Sequence, residues 1–122
     1  MNVKEIRAIV QLIKSLKSAK SAPATKLWWI YLIQTTQQTI YTGITTNPAR
    51  RWAQHQGKIK GGAKYLRAHY PQKMIFLLPV VSHAWAAKLE WSIKQMSHQQ
   101  KKSLVKLMAP AVGPYLKQWE LV

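Results

Sequence analysis

The sequence predicts a small α/β domain in which helices flank a three-stranded, mainly antiparallel sheet, with a helical N-terminal extension. Its length of 122 residues fits one domain. Three short apolar runs, rich in β-branched and aromatic residues, have the length of strands. Stretches with helical spacing of apolar residues stand before and after these runs, which indicates that helices cover the sheet.

Residues 1–25 precede the predicted domain. Apolar side chains recur there at helical spacing between lysines and an arginine, which predicts a basic amphipathic helix over 3–19 and a linker over 21–25. The apolar positions are Ile6, Ile9, Val10, Ile13 and Leu16. Four roles fit this pattern: packing on the domain, contact with a DNA backbone, binding to a membrane surface, and targeting.

The first two strands form a predicted hairpin. Leu27–Ile33 reads LWWIYLI, and Ile40–Ile44 is a second β-rich run after a polar connection. Asn47 is a good N-cap and Pro48 a good first helical residue, so a helix is expected over 48–56.

A basic, glycine-rich loop, Gly57–Ala63, comes next. Lys64–Tyr70 has room for one or more helical turns. Lys73–Val81 is almost unbroken in its apolar character, which predicts a central strand covered on both faces. Pro79 is expected to mark its end or a bulge.

Two helices complete the predicted domain. Ser82 is expected to cap a helix over 83–96, and Trp85 and Leu89 belong to the apolar stripe of that helix. Gln99–Met108 is a further helix, with three side chains expected to point inward. These are Leu104, Leu107 and Met108.

Prolines at positions 110 and 114 predict that the last helix ends near residue 109. The chain is therefore divided into three segments. Residues 1–25 form the basic helix and linker, residues 26–109 the domain, and residues 110–122 a C-terminal tail.

Charge is the strongest global feature of the sequence. Nineteen Lys and Arg residues face three acidic residues, which gives a net charge of +16. Such a surface attracts polyanions, so DNA is the expected partner, RNA is not excluded, and an anionic membrane is the rival. No apolar run approaches the ~18 residues of a membrane span, so no integral membrane segment is expected. No obligate protein partner is evident.

The rare acids and absent cysteines exclude several chemistries. Without cysteine there is no thiol nucleophile and no cysteine zinc site, and a reducing, cytoplasmic location fits. Only Glu90 lies well inside the chain, since Glu5 and Glu120 are near its ends. A paired-carboxylate glycosidase and a two-metal carboxylate cluster are therefore not expected.

An ordered set of motifs resembles the GIY-YIG nuclease family. Ile30-Tyr31-Leu32 and Tyr41-Thr42-Gly43 correspond to the two family tripeptides, and Arg51 and His55 follow four residues apart. Ala87-Lys88-Leu89-Glu90-Trp91 resembles the helix that bears the family's metal-binding glutamate. The segment 61–67 resembles a loop of small bacterial members and of structure-specific resolvase subunits. The resemblance covers about residues 27–107.

This resemblance implies a DNA endonuclease that depends on a divalent metal and leaves 5′-phosphate and 3′-hydroxyl ends. Glu90 would hold Mg²⁺, or Mn²⁺, since magnesium commonly takes only one or two carboxylates. Arg51 would stabilise charge on the phosphate. Either Tyr31 or Tyr41 would act as the base, and His55 would orient water or phosphate.

Departures from the family pattern keep a second hypothesis open. Ile30 replaces the glycine of the first tripeptide, and Thr42 replaces the usual isoleucine of the second. A non-catalytic nucleic-acid-binding module on the same scaffold is the alternative. Glu90 also has a purely structural reading, an ion pair with Lys94 at the i, i+4 spacing.

Basic residues around the glycine-rich loop predict a surface that contacts the DNA backbone without reading bases. The predicted nucleic-acid-binding residues are Gly43, Arg50, Lys58, Lys60, Lys64 and Arg67. Lys101, Lys102 and Lys106 would extend this surface.

Overall fold

A computed structural model describes residues 27–121. It confirms the predicted fold class, a three-stranded antiparallel sheet with helices packed around it. The elements in chain order are β1 (Trp28–Thr35), β2 (Ile40–Thr45), α1 (Pro48–His55), α2 (Lys64–Ala68), β3 (Pro71–Val80), α3 (His83–Lys94) and α4 (His98–Gln118). The basic helix predicted over 3–19, and the linker after it, lie outside the described residues.

The sheet has the order β2-β1-β3, and both strand pairs are antiparallel. The predicted hairpin is confirmed, but β1 is the central strand and β3 is an edge strand. The prediction that Lys73–Val81 is central is therefore wrong. Its apolar character arises because helices cover its faces, with Phe76 and Leu77 fully buried. Pro79 fits an edge strand because proline has no N–H to donate to a neighbour.

The predicted helix starts are confirmed by their caps. The Asn47 side chain accepts a hydrogen bond from the backbone N–H of Arg50 at 3.1 Å, and Pro48 follows at the first helical position. The Ser82 hydroxyl accepts from the backbone N–H of Trp85 at 3.2 Å. These caps satisfy N–H groups that have no partner within the helix.

Helix α4 is longer than the sequence predicts. It continues through Pro110 and Pro114, so the predicted helix end near residue 109 is wrong, and residues 110–118 are helical. Four buried side chains at a four-residue spacing form one stripe along it: Leu104, Met108, Val112 and Leu116. Burial of this stripe offsets the ~3 kcal/mol that an interior proline costs a helix. Leu107, predicted to point inward, is 60% exposed because it lies off the stripe.

Strand register fixes which side chains share a face of the sheet. Tyr31 lies opposite Gly43, and Ile33 lies opposite Tyr41. Because side chains alternate between faces, Tyr31 and Tyr41 project from the same face.

Within the part of the chain that the structure describes, no helix is long and apolar enough to cross a bilayer.

Replacing Pro110 by alanine tests the continuous helix. The proline removes one backbone hydrogen bond from the helix and crowds the carbonyl of residue 106. We expect Pro110→Ala to raise the free energy of unfolding in urea by about 1–2 kcal/mol. The neighbouring Ala109→Gly should lower it by about 1 kcal/mol. If neither substitution changed the free energy of unfolding, the helix would not run through this segment.

Candidate active site

Tyr31 is at the centre of the candidate site. It projects from the middle of the central strand and is 1% exposed. Tyr41 is half-buried, and its ring centroid lies 6.4 Å from that of Tyr31. A Cβ atom placed on Gly43 would overlap the hydroxyl and ring of Tyr31. Glycine is needed at this position because the phenol lies directly against the backbone of β2. The predicted contact between Gly43 and nucleic acid stays a prediction.

His55 connects this tyrosine to helix α1. Its Nε2 lies 2.7 Å from the Tyr31 hydroxyl, and the backbone N–H of Ala63 donates to its Nδ1 at 3.2 Å. Burial, with a smaller contribution from the charge of Arg51, lowers the pKa of His55 to about 4, so the ring is neutral at pH 7. Since Nδ1 accepts, the single ring proton is on Nε2 and donates to Tyr31. The proton of the Tyr31 hydroxyl is then free to point elsewhere.

Arg51 lies one turn before His55 and is held by two hydrogen bonds. Its Nη1 donates to the side-chain oxygen of Gln54 at 2.9 Å and to the backbone carbonyl of Gly61 at 2.7 Å. Gly61 has a φ of 112°, and a Cβ on Gly62 would overlap the backbone carbonyl of Gln54. The paired glycines therefore allow the loop to pack against α1, and the loop in turn orients the guanidinium.

The pKa of Tyr31 shows which charged groups act on the phenol. Burial is the largest influence and raises the pKa well above its usual value. Arg51 lowers it through a hydrogen bond and its positive charge, while Tyr41 and Glu90 raise it. The structure thus brings Arg51, Tyr41 and Glu90 within electrostatic reach of Tyr31.

Glu90 is on helix α3, with its side chain 24% exposed. The ion pair considered from the sequence is present, because its Oε2 lies 3.5 Å from Nζ of Lys94. Residues 27–121 contain no cluster of three or more His, Cys, Asp or Glu side chains that could enclose a metal. A partly exposed single carboxylate still fits a hydrated divalent cation, which keeps most of its water ligands. Glu90 is the residue that would hold such an ion.

Three of the predicted basic residues line one cleft next to His55. This cleft has a volume of about 750 Å³, and Lys58, Lys60 and Arg67 line it. Lys64 and Arg50 are exposed but lie outside its lining. The structure therefore places a cationic surface next to His55, the residue that contacts Tyr31, and the binding of nucleic acid to this surface stays a prediction.

Comparison with known proteins identifies the family. Residues 27–103, more than half of the chain, match the model of the GIY-YIG catalytic domain. The chain belongs to the GIY-YIG family. Among similar proteins are a UPF0213 protein of Photorhabdus laumondii, 42% identical over 76% of this chain and 88% of its own length, and one of Yersinia enterocolitica, 48% identical over 66% and 80%. A UPF0213 protein of Yersinia pestis is also 48% identical, over 66% of this chain and 82% of its own length.

Ile30 replaces a glycine of the GIY-YIG pattern without disturbing the tyrosines. It lies in the central strand, opposite Ile44 and Leu78, and is fully buried. Because neighbouring residues of a strand alternate, its side chain is on the face opposite to that of Tyr31. This departure therefore adds to the core and leaves the tyrosine face unchanged.

Sequence reasoning missed the contacts that two supporting residues make in this GIY-YIG site. Gln54 accepts from Arg51, and the i, i+3 spacing on α1 was a signal for that contact. Tyr65 packs nearly parallel to Tyr41, with ring centroids 6.0 Å apart, and donates a hydrogen bond to the Thr39 hydroxyl at 2.9 Å. No local sequence pattern predicts the hydrogen bond between Tyr65 and Thr39, because these residues are 26 positions apart.

Gly43→Ala tests the close approach of the Tyr31 phenol. The added methyl must displace the ring, so we expect the free energy of unfolding to fall by about 1–3 kcal/mol. Gly113→Ala is the matched control, because this helical glycine has nothing within 4 Å of its added Cβ. It should gain about 0.5–1 kcal/mol. Equal effects in urea unfolding would contradict the described packing.

The low pKa of His55 makes stability depend on pH. At pH 7 the ring is neutral in the folded chain and mostly neutral in the unfolded chain, where its pKa is 6.5. Between pH 6.5 and 4 the imidazole is protonated in the unfolded chain but stays neutral in the folded one. The free energy of unfolding therefore falls as the pH is lowered, and it levels off below pH 4. We expect the wild type to lose about 2–3 kcal/mol more over this range than His55→Gln. Parallel curves of unfolding free energy against pH for the two proteins would refute this.

Proposed function

We propose that this protein is a divalent-metal-dependent DNA endonuclease that selects DNA by its structure and has at most weak sequence preference. The observation that carries the proposal is the convergence on one buried phenol. His55 contacts Tyr31 directly, and Arg51, Tyr41 and Glu90 act on the Tyr31 hydroxyl electrostatically. Family membership supports it, since the GIY-YIG family is a family of nucleases that generally use divalent metals.

The two tyrosines differ in their suitability as a base. Burial raises the pKa of Tyr31, so its hydroxyl keeps its proton at neutral pH. With His55 donating to its oxygen, Tyr31 offers its own proton to a phosphate oxygen or a water molecule. Tyr41 is half-buried, which leaves its hydroxyl within reach of water. We assign to the phenolate form of Tyr41 the removal of a proton from the attacking water, a step that leaves Tyr41 as the neutral phenol.

Arg51 supplies fixed positive charge. Its bonds to Gln54 and Gly61 hold the guanidinium before any substrate arrives, so little reorganisation is needed when negative charge develops on the phosphate. His55, neutral and bonded on both nitrogens, positions Tyr31 and carries no charge of its own at pH 7.

Glu90 is the proposed metal ligand, with Mg²⁺ or Mn²⁺ as the ion. Once bound, the cation would neutralise charge on the scissile phosphate and on the leaving 3′ oxygen, which gives 5′-phosphate and 3′-hydroxyl products. Lys94 must release Glu90 when the ion binds, and its exposed side chain is free to do so.

Substrate choice in this proposal rests on the DNA backbone. Lys58, Lys60 and Arg67 line an open cleft, and open lysine-rich surfaces contact phosphates and carry no base-reading pattern. Roles in DNA repair or recombination would follow from cleavage of branched, flapped or damaged DNA.

Cleavage of nicked, flap and four-way-junction DNA in Mg²⁺ tests the proposal. We expect Glu90→Gln and Arg51→Gln each to lower the cleavage rate by about 10²–10³, because each removes a group that stabilises charge in the transition state. Glu120→Gln is the matched control, since it makes the same charge change at an exposed residue near the C-terminus. It should cleave at the wild-type rate.

Two other results would count against the endonuclease. Equal activity in the wild type and both site variants would mean that a contaminant or another site cuts the DNA. Tight, salt-sensitive binding with no turnover in Mg²⁺ or Mn²⁺ would favour the non-catalytic binding module. Circular dichroism and thermal unfolding of every variant check that loss of activity is not loss of fold.

A further inference from the structure

A second cationic groove lies between the sheet and the first half of helix α4. It has a volume of about 580 Å³. Lys73 of β3 and Lys102 and Lys106 of α4 line it, together with the amides of Gln34 and Gln38. None of these residues belongs to the candidate active site.

This groove and the active site are on opposite faces of the sheet. Gln34 pairs with Ile40, and both line the groove. Each is next in sequence to a residue of the tyrosine face, since Ile33 pairs with Tyr41. Alternation along the two strands therefore directs Gln34 and Ile40 away from the tyrosines.

The lysines of the groove have no counter-charge among the described residues. All three lysines are exposed. The ion pair found within residues 27–121 joins Lys94 to Glu90, and neither of these two residues lines the groove. Lys102 and Lys106 are one helical turn apart, so their ammonium groups point to the same side of α4. Gln34 donates to the side-chain oxygen of Gln38 at 3.1 Å, which leaves the amide group of Gln38 as a further donor.

Such a groove suits the phosphate backbone of a nucleic acid. Exposed lysines without acidic partners gain by replacing the counterions of a phosphate chain, and amide donors add neutral hydrogen bonds to phosphate oxygens. A straight duplex on the active-site face is separated from this groove by the sheet and its helices. The phosphates that enter the groove must therefore belong to another segment of the nucleic acid.

We propose that this groove binds a second arm of a branched DNA while the active-site face holds the first. This inference rests on the proposed function and names its substrate class as branched DNA with two or more duplex arms. Lys102 and Lys106, expected from the sequence to extend the first surface, form a separate one in this proposal.

Binding in EDTA separates this proposal from catalysis. We would compare Lys102→Gln/Lys106→Gln with Lys88→Gln/Lys117→Gln, which removes the same two charges from exposed helix positions outside both clefts. Fluorescence anisotropy would measure the affinity for a four-way junction and for a linear duplex over a range of salt concentrations.

The groove variant should bind the junction about tenfold more weakly than the control variant, with a salt slope reduced by about 2, since each lost phosphate contact removes about 0.9. Its affinity for the linear duplex should match that of the control. Equal losses in the two double variants, or equal losses on the junction and the duplex, would overturn the inference. Selective loss of junction binding supports it even where no cleavage is found, and normal cleavage without that selectivity leaves only the proposed function.

Discussion

The hydrogen bond between Tyr31 and His55 is the contact on which the arrangement of the site depends. Tyr31 belongs to the central strand, His55 is the last residue of α1, and the other nitrogen of His55 accepts from the loop at Ala63. One neutral imidazole thus joins three separate parts of the chain. It does so in a buried place, where a hydrogen bond left unmade would cost the full desolvation of its polar groups.

The scarcity of acids constrains the rest of the molecule. With three carboxylates among 122 residues, the chain cannot neutralise its own positive surface, so its cations depend on solvent ions or an anionic partner. Among the described residues, Glu90 forms an ion pair with Lys94 and thereby neutralises one of these cations. Its negative charge also raises the pKa of the buried Tyr31 phenol. The burial of Tyr31 strengthens such charge effects, since electrostatic interactions weaken much less in a poorly solvated site than in water.

Local signals in the sequence predicted most of the fold and the residues of the site, whereas tertiary contacts decided the rest. Caps at Asn47 and Ser82 and the hairpin follow from neighbouring residues. The strand order did not, because a run that is apolar on both faces looks the same at the centre of a sheet and at its edge. Helix α4 continues through its prolines because burial outweighs local propensity. The role of Gly43 depends on a phenol twelve residues away.

The two ends of the described fold meet through aromatic packing. Trp29, near the start of β1, lies edge-on to Tyr115 and Trp119 at the end of α4, each at a centroid distance of 5.6 Å. The entry and exit of the fold are therefore neighbours in space, an arrangement suited to circular permutation. In a variant that begins at residue 27, a short peptide joining them would preserve the connectivity of every described strand and helix, and new ends would be opened at the exposed turn between β1 and β2.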